Sequence, residues 1–149
     1  SIQALGGDLP LGLMSEVWWS PKHPYKSSIT GQTCAELAEA FAEANNVQPT
    51  NAIGYKHANI EIVVDALKRA QTLNREDLRE AIKDTNLDTI AGHIKFNSQN
   101  FSKAKLVVGQ WQKGTEYPWE IKIISNKMAP EIPLDDTTII FPLPGSALE

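Results

Sequence analysis

The chain has 149 residues and a formal net charge of −4, with 42% hydrophobic and 21% charged residues. This composition is typical of a globular domain with a buried core, and the scattered Lys and Arg residues argue against a nucleic-acid partner. The sequence has no apolar run near the roughly 20 residues that span a bilayer, and the lone Cys34 excludes an internal disulfide.

The first half of the chain predicts one strand and then three helices. Segment 13–19 mixes apolar residues with two Trp and predicts a strand, and the prolines after it predict an extended loop over 20–28. Apolar residues recurring at helical spacing predict the three helices, over 33–45, from about Asn51 to 71, and over 74–83.

Details of two helices follow from the same pattern. Asn51 and Asn74 are predicted N-caps, because an Asn side chain accepts a hydrogen bond from a free N–H of the first turn. The third helix is expected to bury Leu78, Ala81 and Ile82.

The second half of the chain is strand-like. Segments 90–96, 106–112 and 119–124 predict strands, with a turn over 97–100 and a hairpin connection at 113–115. The order of strand, three helices and several strands predicts a mixed α/β fold. It lacks the steady β-α-β alternation of a complete doubly wound domain, which indicates a fragment.

Aromatic residues near the first strand and the second helix are the candidate ligand contacts. Trp18 and Trp19 are adjacent at a strand end, so one side chain is expected to pack inward and the other outward. Tyr55 lies in the first turns of the second helix, whose N-terminus suits a ligand carboxylate. Asn51 is the remaining candidate, although capping of the helix is the favoured role for its side chain.

The sequence shows no nucleophile elbow, P-loop, dinucleotide fingerprint or C-x-x-C motif, so no catalytic residue or cofactor is predicted. His57 and Glu61 share a helix face, but two ligands without a third do not indicate a metal site, and an exposed ordinary pair is expected. Cys34 is expected to be a buried structural thiol. His23 and His93 show no evident partner, and Asp135 with Asp136 predicts a solvated turn.

Motifs in order along the chain resemble the periplasmic solute-binding proteins of the branched-chain amino acid ABC transporter family. Their sequences, in chain order, are Trp18-Trp19-Ser20-Pro21, the helix from Tyr55 to Ala70, the helix from Leu73 to Ile82, Asp88-Thr89-Ile90-Ala91-Gly92-His93-Ile94-Lys95-Phe96, and Gln110-Trp111 within a hairpin. The resemblance covers about residues 11–142, although the family usually has Pro where this chain has His93.

The resemblance implies the C-terminal portion of a bilobed type I clamp that is more than twice as long. It assigns residues 1–24 to the second lobe and crossover, 28–112 to the first lobe, and 113–144 to the return crossover. The tail at 145–149 is expected to be partly vector-derived. The implied function is capture of a small solute between lobes that close by hinge motion, and delivery to an ABC permease from the periplasm, without catalysis.

Two other functions remain open at this stage. The same clamp fold serves sensor domains of receptors and transcriptional regulators, and a small α/β enzyme with a site near His57 and Glu61 is the other alternative. A truncated clamp would also expose apolar helix stripes, notably along 60–67, so the isolated chain is expected to form a dimer or swapped oligomer.

Overall fold

The computed structural model describes residues 2–143, apart from the side chain of Gln3, and the predicted tail at 145–149 lies outside the described residues. The helices are a short 3-10 helix at Ile2–Leu5, α1 at Cys34–Asn45, α2 at Ala52–Arg69 and α3 at Arg75–Lys83. The strands are β1 at Met14–Val17, β2 at Asn86–Thr89, β3 at Gly92–Lys95, β4 at Val107–Lys113 and β5 at Trp119–Ser125. The mixed α/β class is confirmed.

The described chain divides into two compact units, one of residues 18–105 and one of 2–17 with 106–143. The chain passes from one unit to the other at 17/18 and 105/106, and the lobe boundaries expected near 24–28 and 112 stay a prediction. The second passage precedes β4, because β4 lies between β1 and β5 in one antiparallel sheet and so belongs with β1. The assignment of these units to lobes stays a prediction.

The three predicted helices form, and their starts differ in how they are capped. The Thr33 side chain accepts from the Glu36 N–H in a complete capping box, and Asn74 accepts from the Asp77 N–H at 2.9 Å. Ala81 of α3 is buried and its carbonyl accepts a hydrogen bond from Arg69 at 2.7 Å. The expectation that Ile82 is buried is wrong, because it lies about 100° around the helix from Ala81 and is exposed.

The single strand predicted over 90–96 is instead one arm of a tight hairpin. β2 pairs antiparallel with β3, from Asn86 opposite Lys95 to Thr89 opposite Gly92, and residues 90 and 91 make the turn. The Thr89 hydroxyl donates to the Gly92 carbonyl at 2.8 Å and accepts from the Ala91 N–H at 3.1 Å, which holds the turn closed.

The unit of residues 18–105 has its core around Trp19. This indole is fully buried with Cys34, Ala38, Ala58 and Ile90. On α2, the outward face carries exposed Ile60, Val63 and Leu67 at helical spacing, in agreement with the expected uncovered stripe. Self-association of the isolated chain through that stripe stays a prediction.

The unit of residues 2–17 and 106–143 has its core around Val17, Val107 and Ile123. The buried Gln110 fastens the segment after β5 to the sheet, since its amide nitrogen donates to the Ile140 carbonyl at 3.0 Å and its oxygen accepts from the Ile140 N–H at 2.9 Å. Asp135, expected in a solvated turn, instead accepts from the Ile123 N–H at 2.8 Å and so covers part of the β5 edge.

The first prediction concerns Gly54, which packs directly under the buried Trp19 ring. A Cβ there would overlap the Trp19 indole carbons, so Gly54→Ala should destabilise the chain by about 1–3 kcal/mol through overpacking. Helix propensity alone predicts the opposite sign, a gain of about 1 kcal/mol. Urea unfolding measures the difference. The control Asn59→Ala, at an exposed position of the same helix, should be neutral or slightly stabilising, and a stabilised Gly54→Ala would contradict this packing.

The second prediction concerns Glu120, beside the turn between β4 and β5. One carboxylate oxygen accepts the N–H groups of Thr115, Glu116 and Tyr117 at 3.0–3.1 Å, and the other contacts Lys122. Burial raises the pKa of Glu120, but hydrogen bonds from Lys122 and from the Tyr117 and Glu116 backbone outweigh it and lower the pKa to about 2.

Because the folded pKa lies below the unfolded value, the stabilisation by Glu120 is present above pH 4.5 and is lost as pH falls through about 2. Glu120→Gln should therefore cost about 1–2 kcal/mol at pH 7, with the difference from the original chain shrinking towards pH 2. Urea unfolding at several pH values measures this, with the exposed Glu16→Gln as control. A constant difference across that range would show that the carboxylate charge is not involved.

Candidate functional site

The two Trp residues after β1 point to opposite sides, as the sequence predicted. Trp19 is fully buried, and its indole N–H donates to the Ile90 carbonyl at 3.0 Å. Trp18 is 45% exposed. Burial of one ring therefore anchors the backbone at this point, and the other ring is presented on the surface of the unit formed by residues 18–105.

Tyr55 of α2 lies beside the exposed Trp18. The ring centroids are 6.1 Å apart and the ring planes meet at 76°, an edge-to-face arrangement that aromatic pairs favour. Tyr55 is half-buried and packs against the Trp19 core, and desolvation raises the pKa of its hydroxyl. The structure thus brings Trp18 and Tyr55 together into one aromatic surface, called here the aromatic wall.

Asn51 directly precedes α2 but does not cap it through its side chain. Its backbone is helical, with φ −57° and ψ −25°, and its side chain makes no capping hydrogen bond, so the predicted capping role is wrong. Since the backbone continues the helical spiral, Asn51 lies one turn before Tyr55 on the same face. The side-chain amide of Asn51 therefore does not cap the start of α2.

The expectation of an exposed His57–Glu61 pair is also wrong. Glu61 is fully buried, and its carboxylate accepts the N–H and hydroxyl of Ser28 and the N–H of Ile90, the last at 2.9 Å. A sequence signal for this exists: Gly54, Ala58 and Glu61 lie at positions i, i+4 and i+7, so Glu61 shares the inward face with two small residues. Its three bonds satisfy the requirement that a buried carboxylate be hydrogen-bonded.

His57 is hydrogen-bonded to a serine rather than to Glu61. Its Nε2 lies 2.8 Å from the Ser27 hydroxyl, which is buried and also accepts the N–H groups of Ile29 and Thr30. A nucleophilic serine needs an accessible oxygen and a histidine oriented by a third group, usually a carboxylate. Within residues 2–143, no carboxylate is hydrogen-bonded to the His57 ring, and the Ser27–His57 contact connects the loop at 27–30 to α2.

The other polar candidates also have structural partners. His93 pairs with Asp88 across the hairpin at 2.7 Å, and His23 lies 2.9 Å from the Ser20 hydroxyl. Cys34 is buried as expected, its thiol 3.3 Å from the Ile90 carbonyl, and burial raises its pKa. The described residues contain no cluster of three His, Cys, Asp or Glu suited to a metal, and none of their helices is both long and apolar enough to cross a membrane.

Comparison with known proteins gives matches at the level of structure. No family model matches the chain, and no curated protein matches it in sequence. A leucine-binding protein from Thermotoga maritima superposes with a TM-score of 0.63 at 20% sequence identity. The match covers 84% of this chain and 34% of the leucine-binding protein. A Rhodopseudomonas palustris ABC-transporter solute-binding protein in complex with benzoate superposes with a TM-score of 0.60 at 12% identity, covering 94% and 35%.

The chain has the fold of one part of a type I periplasmic binding protein. A third similar structure, a solute-binding protein from Rhodopseudomonas palustris in complex with 3,4-dihydroxybenzoic acid, has a TM-score of 0.59 at 18% identity and covers 84% of this chain. The chain spans about a third of the length of these proteins. This fraction agrees with the prediction from the sequence motifs that the full-length protein is more than twice as long as this chain.

Proposed function

We propose that the chain is part of a non-catalytic binding protein that captures a small solute for an ABC importer. The observation that carries this proposal is the aromatic wall of Trp18 and Tyr55, displayed by a chain with the periplasmic-binding-protein fold. The absence of catalysis is supported by the contacts of His57 and Glu61, the two residues of the enzyme alternative. His57 is hydrogen-bonded to Ser27, and Glu61 accepts hydrogen bonds from Ser28 and Ile90.

The solute that fits this wall has an apolar or aromatic body. A partly exposed Trp beside a half-buried Tyr offers large apolar area together with polar tips, which favours flat or branched carbon skeletons. The similar structures are a leucine-binding protein and two solute-binding proteins, one in complex with benzoate and one with 3,4-dihydroxybenzoic acid. We assign the solute to branched-chain or aromatic amino acids, aromatic acids or amides, with Asn51 as a polar contact.

The remaining assignments rest on the same fold. We place residues 18–105 in one lobe of the clamp and residues 2–17 with 106–143 in the other. The partner is a membrane permease of the importer, and the location is periplasmic or otherwise extracytoplasmic. Trp19 does not contact the solute in this proposal. Its buried indole, hydrogen-bonded to the Ile90 carbonyl, fixes the backbone from which Trp18 projects.

The third prediction tests the aromatic wall in the full-length protein. Leucine, benzoate and 3,4-dihydroxybenzoate are titrated by calorimetry, and at least one is expected to bind. Trp18→Ala and Tyr55→Ala should each weaken that solute about tenfold or more, because each removes a desolvated aromatic contact worth about 1.4 kcal/mol.

Phe101→Ala is the matched control, since it removes an exposed aromatic ring of the same unit that has no ring contact with Trp18 or Tyr55. Its affinity should equal that of the original protein. Binding of a solute with unchanged affinity in both wall variants would remove Trp18 and Tyr55 from the site, and turnover of any of the three solutes would contradict the absence of catalysis.

A further inference from the structure

The hydroxyl group of Tyr55 has no hydrogen-bond partner among residues 2–143. Tyr55 is half-buried, packs against the Trp19 core and meets Trp18 edge to face, but these contacts are made by its ring. Desolvation is the cause of the raised pKa of the hydroxyl, and no hydrogen bond contributes to it. A tyrosine hydroxyl usually finds a partner when the residue is buried. The hydroxyl of Tyr55 is therefore available to water or to a bound molecule.

The side chain of Asn51 adds a second available polar group on the same face of α2. It makes no capping hydrogen bond, and its amide has no other hydrogen bond within the described part of the chain. Asn51 precedes Tyr55 by four residues, so the two lie one helical turn apart. Because long side chains on a helix lean towards its N-terminus, we expect the Tyr55 hydroxyl to lie on the Asn51 side of the aromatic wall.

The aromatic wall thus joins an apolar ring surface to two neutral polar groups. A phenol hydroxyl and a carboxamide can each donate and accept hydrogen bonds. Burial raises the pKa of the Tyr55 hydroxyl and so keeps it protonated and neutral. A hydroxyl group on the solute matches this chemistry, since it can accept from one of these groups and donate to the other. An ionised carboxylate at the same place would lose hydration without meeting a positive charge on Trp18, Tyr55 or Asn51.

We propose that Tyr55 determines specificity, and that its hydroxyl selects solutes with a hydroxylated aromatic ring. This inference rests on the proposed function, because it requires that the aromatic wall contacts the solute. The solute ring packs against Trp18, and a ring hydroxyl is hydrogen-bonded to the Tyr55 hydroxyl and the Asn51 amide. A solute without that hydroxyl displaces water from both polar groups and leaves them unpaired, so it binds more weakly.

The fourth prediction compares 3,4-dihydroxybenzoate with benzoate in the full-length protein, because these two acids differ only in their ring hydroxyl groups. Calorimetry should give a Kd for 3,4-dihydroxybenzoate at least about tenfold lower than the Kd for benzoate. Tyr55→Phe keeps the ring and removes the hydroxyl, so it should reduce this ratio to about twofold or less and leave the benzoate affinity unchanged. Asn51→Ala should also reduce the ratio, because it removes the second polar group.

Two further variants separate this inference from the proposed function. Tyr117→Phe removes a hydroxyl that already interacts with Glu116, so it should preserve the ratio. Trp18→Ala should weaken both acids, because it removes the ring surface that they share. Weaker binding of both acids in Trp18→Ala, with an unchanged ratio in Tyr55→Phe or Asn51→Ala, would overturn the inference and leave the proposed function standing. A benzoate Kd equal to or below that of 3,4-dihydroxybenzoate in the original protein, or binding of neither acid, would also overturn the inference.

Discussion

The carboxylate of Glu61 is the constraint on which the unit of residues 18–105 depends. It lies fully buried on α2 and joins two segments distant in sequence, the loop at Ser28 and the hairpin turn at Ile90. Charge-assisted hydrogen bonds of this kind are stronger than neutral ones, and an unsatisfied buried partner is costly. Because loop, helix and hairpin all meet at one side chain, their relative positions are set together.

The Ile90 peptide extends this constraint to the aromatic wall. Its N–H donates to Glu61, while its carbonyl accepts from the Trp19 indole and from the Cys34 thiol at the start of α1. Trp19 in turn packs on Gly54 of α2. The neighbours of these two core residues in sequence are Trp18 and Tyr55, so packing of Trp19 on Gly54 brings the two outer rings to an edge-to-face contact. The position of the wall thus follows from the buried network beneath it.

Apolar residues at helical spacing were enough to predict α1, α2 and α3, and the Asn74 cap of α3 was also predicted. Strand-like segments around a turn were enough to predict the hairpin of β4 and β5, and adjacency in a strand was enough to predict the split of Trp18 from Trp19. The burial of Glu61 was missed, because a glutamate on a helix is ordinarily solvated and its partners, Ser28 and Ile90, are 33 and 29 residues away. β2 was missed because Asn86 and Asp88 have low strand propensity and pair only within the hairpin.

The central claim is that one carboxylate holds the Ser28 loop and the Ile90 turn to α2. Amide hydrogen exchange in Glu61→Gln tests it most directly, with the exposed Glu39→Gln as control. At least one of the Ser28 and Ile90 amides should exchange at least about tenfold faster than in the original chain, because Gln keeps one acceptor oxygen and directs an N–H₂ group at the other N–H donor. Unchanged protection at Ser28 and Ile90, with faster exchange elsewhere or nowhere, would contradict the account.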